Sequence, residues 1–200
     1  MNLLNWYMFY MLLMVMSLTS NNWLSMWTLL ELSSWVMLIL MFSDSDNSDT
    51  IFKMYFMFSM ISIGIVMLWL NMVIKQEWVM FLFALKMGIP PCHWWLGWIL
   101  KNFKWKMFWW FTTMHKFIPM VFSLLLMNSY LLFFWALLST LWSTLSAWGT
   151  NSLFMLLFYS SCMHASWMWS SVYDLYTFCY YFVIYVSMMS SLLYMMYMYM

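Results

Sequence analysis

Apolar residues fill this chain in long stretches separated by short polar clusters: SNN at 20–22, SDSDNSD at 43–49, IKQE at 74–77, KNFKWK at 101–106, NSY at 128–130, GTN at 149–151 and YD at 173–174. The hydrocarbon core of a bilayer takes about 20 mostly apolar helical residues to cross, so the polar clusters mark where crossings begin and end. The pattern predicts eight spans, at about 3–20, 22–42, 51–72, 78–100, 107–127, 129–147, 152–171 and 175–197. The expected fold is therefore all-α, a polytopic transmembrane helical bundle forming one membrane domain over residues 1–200, with no linker, soluble domain or short-period repeat. The opening stretch MNLLNWYMFYMLLMVMSLTS has no basic n-region and is too long for a signal-peptide core, so it reads as the first span.

Composition agrees: 67% of residues are hydrophobic and 6% charged, against about 25% charged in an ordinary soluble domain. Mean hydropathy is +0.83. The 17 Trp and 28 Met suit a genetic code that gives these two residues extra codons, a compositional pointer to a mitochondrial gene. A net charge of +1 and no basic run beyond Lys101, Lys104 and Lys106 leave no electrostatic footprint for nucleic acid, so that class is excluded. Cys92, Cys162 and Cys179 lack metal-binding spacing and read as small apolar packing residues. The acidic loop 43–49 and the basic loop 101–106 fall on one side of the membrane, and the positive-inside rule puts that side, with both termini, toward the matrix.

Most ionisable residues sit at span ends, where a lysine stem reaches the interface. Glu31, Lys86 and Lys116 do not, lying about nine, eight and nine residues into their spans. At 1.5 Å per residue that is a depth on the order of 12–14 Å. A charge there costs about 2.5–3.5 kcal/mol on insertion scales unless it faces partners or water inside the bundle, so three of them predict an internal polar track. A static Glu–Lys pair locking two helices is the plainer alternative. In "LKMGIPPCHWW", Pro90 and Pro91 withhold N–H groups from the carbonyls of Lys86 and Met87, which predicts a helix break around Gly88–Pro91. Bare carbonyls at that depth are tolerated only inside protein or against a watery cavity, so break and lysine point to one wet pocket. In "TTMHKFIPM", Pro119 does the same to His115, predicting a second break near 117–119 beside Lys116, and broken helices near the midplane mark transport sites. A lysine in an apolar setting beside a carboxylate can exchange its proton, and so relay it. His93 and His164 read as hydrogen-bonded packing residues, whereas His115 is either that or a relay member, and Asp174 is a solvated span end.

These segments resemble the subunit 2 family of mitochondrial NADH:ubiquinone oxidoreductase (respiratory complex I), one of its antiporter-like membrane subunits. "LKMGIPPCHWW" is similar to the family's K-x-G-x-x-P-x-H-x-W break, and "HKFIPM" to its Q-K-x-x-P stretch, with His115 where the family usually has Gln. "WTLLELSSWVMLIL" resembles its W-x-x-x-E helix and "LFYSSCMHASWMW" its A-Y-S-S-I-x-H-x-G-W element. The four segments follow in the family's order across residues 23–169. The resemblance implies that Glu31 and Lys86 form a coupled pair and that Lys116 is the lysine at the centre of a proton path. It also implies a multi-pass protein of the mitochondrial inner membrane, surrounded by other complex I membrane subunits and lipids such as cardiolipin. No cofactor is expected on this chain, because NADH, FMN, iron–sulfur clusters and ubiquinone belong to other subunits. Animal members of the family continue through about three more helices with another broken helix and lysine, while no Lys follows residue 127 here. Either those helices are lost or a separate polypeptide supplies them, and the second is the expectation.

The resulting reading is a subunit that takes part in proton translocation through Glu31, Lys86, His115 and Lys116. Two rivals come from other classes: a scaffold that bridges neighbours around a dry interior, and a b-type cytochrome using His93, His115 or His164 as haem ligands.

Overall fold

The computed structural model describes residues 3–44, 48–70, 76–100, 102–126, 129–170 and 175–199. Among these the chain is all-α, with ten helices: α1 Leu3–Thr19, α2 Trp23–Asp44, α3 Ser48–Leu70, α4 Gln76–Met87, α5 Leu96–Leu100, α6 Trp105–Thr112, α7 Met114–Leu126, α8 Ser129–Trp148, α9 Leu153–Ser170 and α10 Leu175–Tyr199. Parts of the expected polar connections, at 45–47, 74–75, 101, 128 and 173–174 with Asp174, lie outside the described residues.

The bundle class is as expected, but among the described residues the span count is smaller than eight: of their helices, α2, α3, α8 and α10 contain stretches long and apolar enough to cross a membrane by themselves. The reasons differ. α1 has 17 residues, about 26 Å at helical rise and short of a hydrocarbon core of about 30 Å. α9 carries Ser160, Ser161, His164, Ser166 and Ser170, which dilute its apolar run. The expected fourth and fifth spans are each split in two.

The first split lies where the prolines predict it, and Gly88 is its cause. Gly88 takes the left-handed conformation, φ 65°. Its N–H donates to the carbonyl of Leu85 at 3.1 Å, and the Ile89 N–H reaches back to that of Ala84 at 2.9 Å. This is the Schellman arrangement, with glycine just past the helix end and two of the last carbonyls capped. A Cβ at Gly88 would run into the Leu96 side chain, so the same glycine lets the chain turn tightly into α5. Pro90 and Pro91 follow in the turn, where a missing N–H costs no helix bond. The Leu85 carbonyl also accepts from the Trp95 indole N–H at 3.1 Å.

The second expected break, at 117–119, is corrected. Pro119 sits inside α7, and the interruption falls upstream at Thr113, between α6 and α7. A proline ring crowds the carbonyl four residues back and strains the preceding turn rather than its own. Threonine hydroxyls relieve that turn by bonding back to main-chain carbonyls: Thr112 Oγ1 donates to the Phe108 carbonyl at 2.9 Å and Thr113 Oγ1 to that of Trp109 at 2.6 Å. The Tyr185 hydroxyl, from α10, donates to the Thr112 carbonyl at 2.8 Å and holds the junction.

α7 is the centre of the molecule. It packs against α1, α2, α4, α6 and α9, and residues 114–123 are all buried. The Trp169 indole of α9 donates to Ser123 Oγ of α7 at 3.0 Å. α8 packs chiefly on α9 and turns Leu137, Leu141, Trp142 and Leu145 outward, an apolar exterior suited to lipid rather than water. Replacing Gly88 by Ala puts a side chain into left-handed backbone and against Leu96. The variant is expected to lose roughly 1–3 kcal/mol, seen as a lower thermal midpoint in detergent, and an unchanged midpoint contradicts the cap.

Candidate functional site

Ending α4 at Gly88 places Lys86 in its last turn, a favourable position for a cation relative to the helix dipole. Its side chain is 0% exposed, and Nζ lies 3.3 Å from Oε1 of Glu31 on α2. Glu31 is 19% exposed, so the pair joins a wholly enclosed ammonium to a carboxylate that retains an edge toward the surface. The ammonium also sits 5.9 Å from the ring centroid of Phe58 on α3, a distance at which the ring face still attracts a cation.

Phe58 has a second neighbour. Its centroid is 5.0 Å from that of the His115 imidazole, while Phe111 stacks on the same imidazole at 5.4 Å. His115 is therefore flanked by two aromatic rings and buried at 1% exposure. Its Nδ1 lies 3.3 Å from the Tyr10 hydroxyl of α1, and its Nε2 is buried with no protein partner among the described residues. The imidazole is within Coulombic reach of both Lys86 and Lys116.

Lys116, one residue on, is directed at α9. Its Nζ donates to Ser161 Oγ at 2.9 Å, approaches Cys162 Sγ at 3.6 Å and lies 5.3 Å from the Phe158 centroid. The Cys162 thiol in turn faces the Gly88 carbonyl at 3.9 Å, so α9 touches the broken helix and the central lysine at once. Nearby on α9, His164 Nδ1 is 3.0 Å from the Tyr181 hydroxyl. His93, beyond the break, meets the Tyr159 ring edge-on at 5.3 Å.

The residues expected from sequence thus divide. Glu31 and Lys86 come into direct contact, Gly88, Pro90 and Pro91 form the turn beside them, and His115 lies within range of both lysines. Lys116 does not contact Glu31 or Lys86 but is held by Ser161 and Cys162. Pro119 lies within α7 instead of at a break. Sequence reasoning passed over Tyr10, Phe58 and Tyr185, which in a chain so rich in aromatics carry no local signal. Cys162 was assigned to packing for want of a metal-type spacing, although it stands in the same serine-flanked segment as His164.

The fold and site define a multi-pass helical membrane protein built around a buried carboxylate–lysine pair beside a capped helix break. No family model matches the chain. Two curated relatives do, both named NADH-ubiquinone oxidoreductase chain 2: that of Artemia franciscana, 23% identical over 88% of this chain and 57% of the relative, and that of Locusta migratoria, 30% identical over 78% of this chain and 50% of the relative. The chain is thus related by sequence to NADH-ubiquinone oxidoreductase chain 2, as its four motif segments suggest, and spans about half the length of the curated relatives it matches.

The asymmetry of the ion pair predicts unequal variants. Glu31→Ala leaves an enclosed ammonium unpaired, an outcome worth about 3–5 kcal/mol for buried pairs. Lys86→Met removes the charge, keeps most of the volume and leaves the partly exposed carboxylate near water, so a loss of about 1.5 kcal/mol or less is expected. Unfolding of both variants in mixed micelles measures the order, and equal losses contradict it.

Proposed function

We propose that this chain is a membrane-arm subunit of a respiratory NADH:ubiquinone oxidoreductase in the mitochondrial inner membrane and takes part in its proton translocation. In this reading it holds no redox centre, and the NADH, FMN, iron–sulfur and ubiquinone sites belong to neighbouring subunits. Redox energy released there reaches this subunit as a change in the distance or hydration between Glu31 and Lys86. While Glu31 is close, the Lys86 ammonium is held. When it withdraws, the Nζ proton is free to pass toward His115 and Lys116, with water around the helix breaks completing the path. Other membrane subunits of that assembly pack beside this one, with cardiolipin-like lipids around them.

The observation that carries the reading is the Lys86–Glu31 contact at 3.3 Å, with Lys86 fully enclosed and His115 in electrostatic range of both lysines. Intramembrane ionisable groups cost too much to retain without partners, and a chain of them is the usual sign of a proton or ion path. The kinship with chain 2 supplies the assembly in which such a path has an energy source. A scaffold role takes the same closed pair as a permanent bolt between α2 and α4.

The two readings part on one variant. With Lys86→Met in the assembled complex, the relay predicts normal assembly and a several-fold drop in protons moved per NADH oxidised. The bolt predicts fewer assembled complexes, each with normal stoichiometry. Lys116→Arg is expected to impair translocation as well, because a guanidinium does not release its proton. Wild-type stoichiometry in that variant, measured in proteoliposomes at equal complex content, counts against Lys116 as a carrier.

A further inference from the structure

Lys116 poses a problem that Lys86 does not. Its side chain is 2% exposed, and among the described residues no carboxylate pairs with it, the ion pair of the interior being Lys86–Glu31. A buried cation left without an anion is strongly destabilising, so the groups that touch it have to compensate it or take its proton. Those groups are Ser161 Oγ at 2.9 Å, Cys162 Sγ at 3.6 Å and the Phe158 ring. Ser161 donates its own hydrogen to the Phe158 carbonyl at 2.6 Å, which leaves its lone pairs to accept from Nζ. Serine and phenylalanine solvate the ammonium but do not ionise. Cys162, itself 0% exposed, is the one member of this shell that can become an anion, and thiolates form beside cations.

We propose that Cys162 is the proton-exchange partner of Lys116. The proton moves from Nζ to Sγ: an N–H bond breaks, an S–H bond forms, and an ammonium–thiolate pair becomes a neutral amine and thiol, with the reverse step restoring the charges. No oxidant or other reactant takes part. In the ionic state Sγ accepts the hydrogen bond from Nζ. In the neutral state the thiol hydrogen has two acceptors within reach, the amine and the Gly88 carbonyl at 3.9 Å. The second of these ties the state of Lys116 to the turn that positions Lys86. Ser161 is a positioning residue, fixing Nζ in both states. This inference rests on the proposal that Lys116 carries a proton and names the group that holds the proton when Lys116 does not.

The test is made on the assembled complex, by infrared spectroscopy of the S–H stretch and by proton translocation. Cys162→Ala assigns the Cys162 band. The expected result is a weak band in the wild type that gains intensity in Lys116→Met, where the thiol has lost its base. A band of equal intensity with and without Lys116 overturns the proposal, even if Lys116→Met abolishes translocation and the relay itself stands. Conversely, a band that responds while Lys116→Met translocates normally keeps the pair and removes the relay. Cys162→Ser keeps size and hydrogen bonding but does not titrate, and is expected to slow translocation about 10²-fold, the lower end of what a positioned proton acceptor contributes. Cys162→Asp, which restores an anion, is expected to recover most of that loss and to shift the pH profile of translocation. Wild-type rates in Cys162→Ser contradict the proposal and return the residue to packing.

Discussion

A single contact organises this interior: the ammonium of Lys86 against the carboxylate of Glu31. In a low-dielectric bundle the attraction between unit charges is many times its value in water, and so is the cost of leaving either one alone. Much of the local architecture follows from making that contact possible. α4 has to stop just after Lys86, which the left-handed Gly88 and the following prolines achieve, and the closing carbonyls have to find donors, which the Schellman bonds and the Trp95 indole provide. α2 then has to present Glu31 at the same depth. The pair binds two helices distant in sequence and fixes where Phe58 and His115 pack.

Three basic side chains share the core, each compensated differently. Lys86 has a carboxylate, His115 has the Tyr10 hydroxyl and two aromatic faces, and Lys116 has a serine, a thiol and a ring. Compensation thus runs from a full anion, through a neutral group, to one that becomes an anion only by losing a proton. In the proposed relay, such a gradation holds a proton firmly at one end and loosely at the other.

The class of fold was legible because long apolar stretches with few charges admit only helices in a bilayer. The pairing of Glu31 with Lys86 was legible because two opposite charges at equal depth in different spans have nowhere better to go. The break at Gly88 was legible from glycine followed by two prolines. Pro119 misled, because a proline inside a well-packed helix moves the disturbance upstream, and only the packing of α6, α7 and α10 determines where it comes out. The eight-span count overreached because two of the expected spans contain broken turns that add no helical rise, while α1 is short and α9 is diluted by polar residues. Tyr10 and Cys162 were not legible, since their roles depend on α1 and α9 meeting α7, a tertiary fact with no pattern along the chain.

A double-mutant cycle on Glu31→Gln and Lys86→Met tests most directly whether this contact keeps a lysine inside the bundle. The account predicts that the double variant regains most of the stability lost by Glu31→Gln alone, a coupling on the order of 1–3 kcal/mol. Losses that simply add would mean that the two side chains do not sense each other, and the account of the interior would fail.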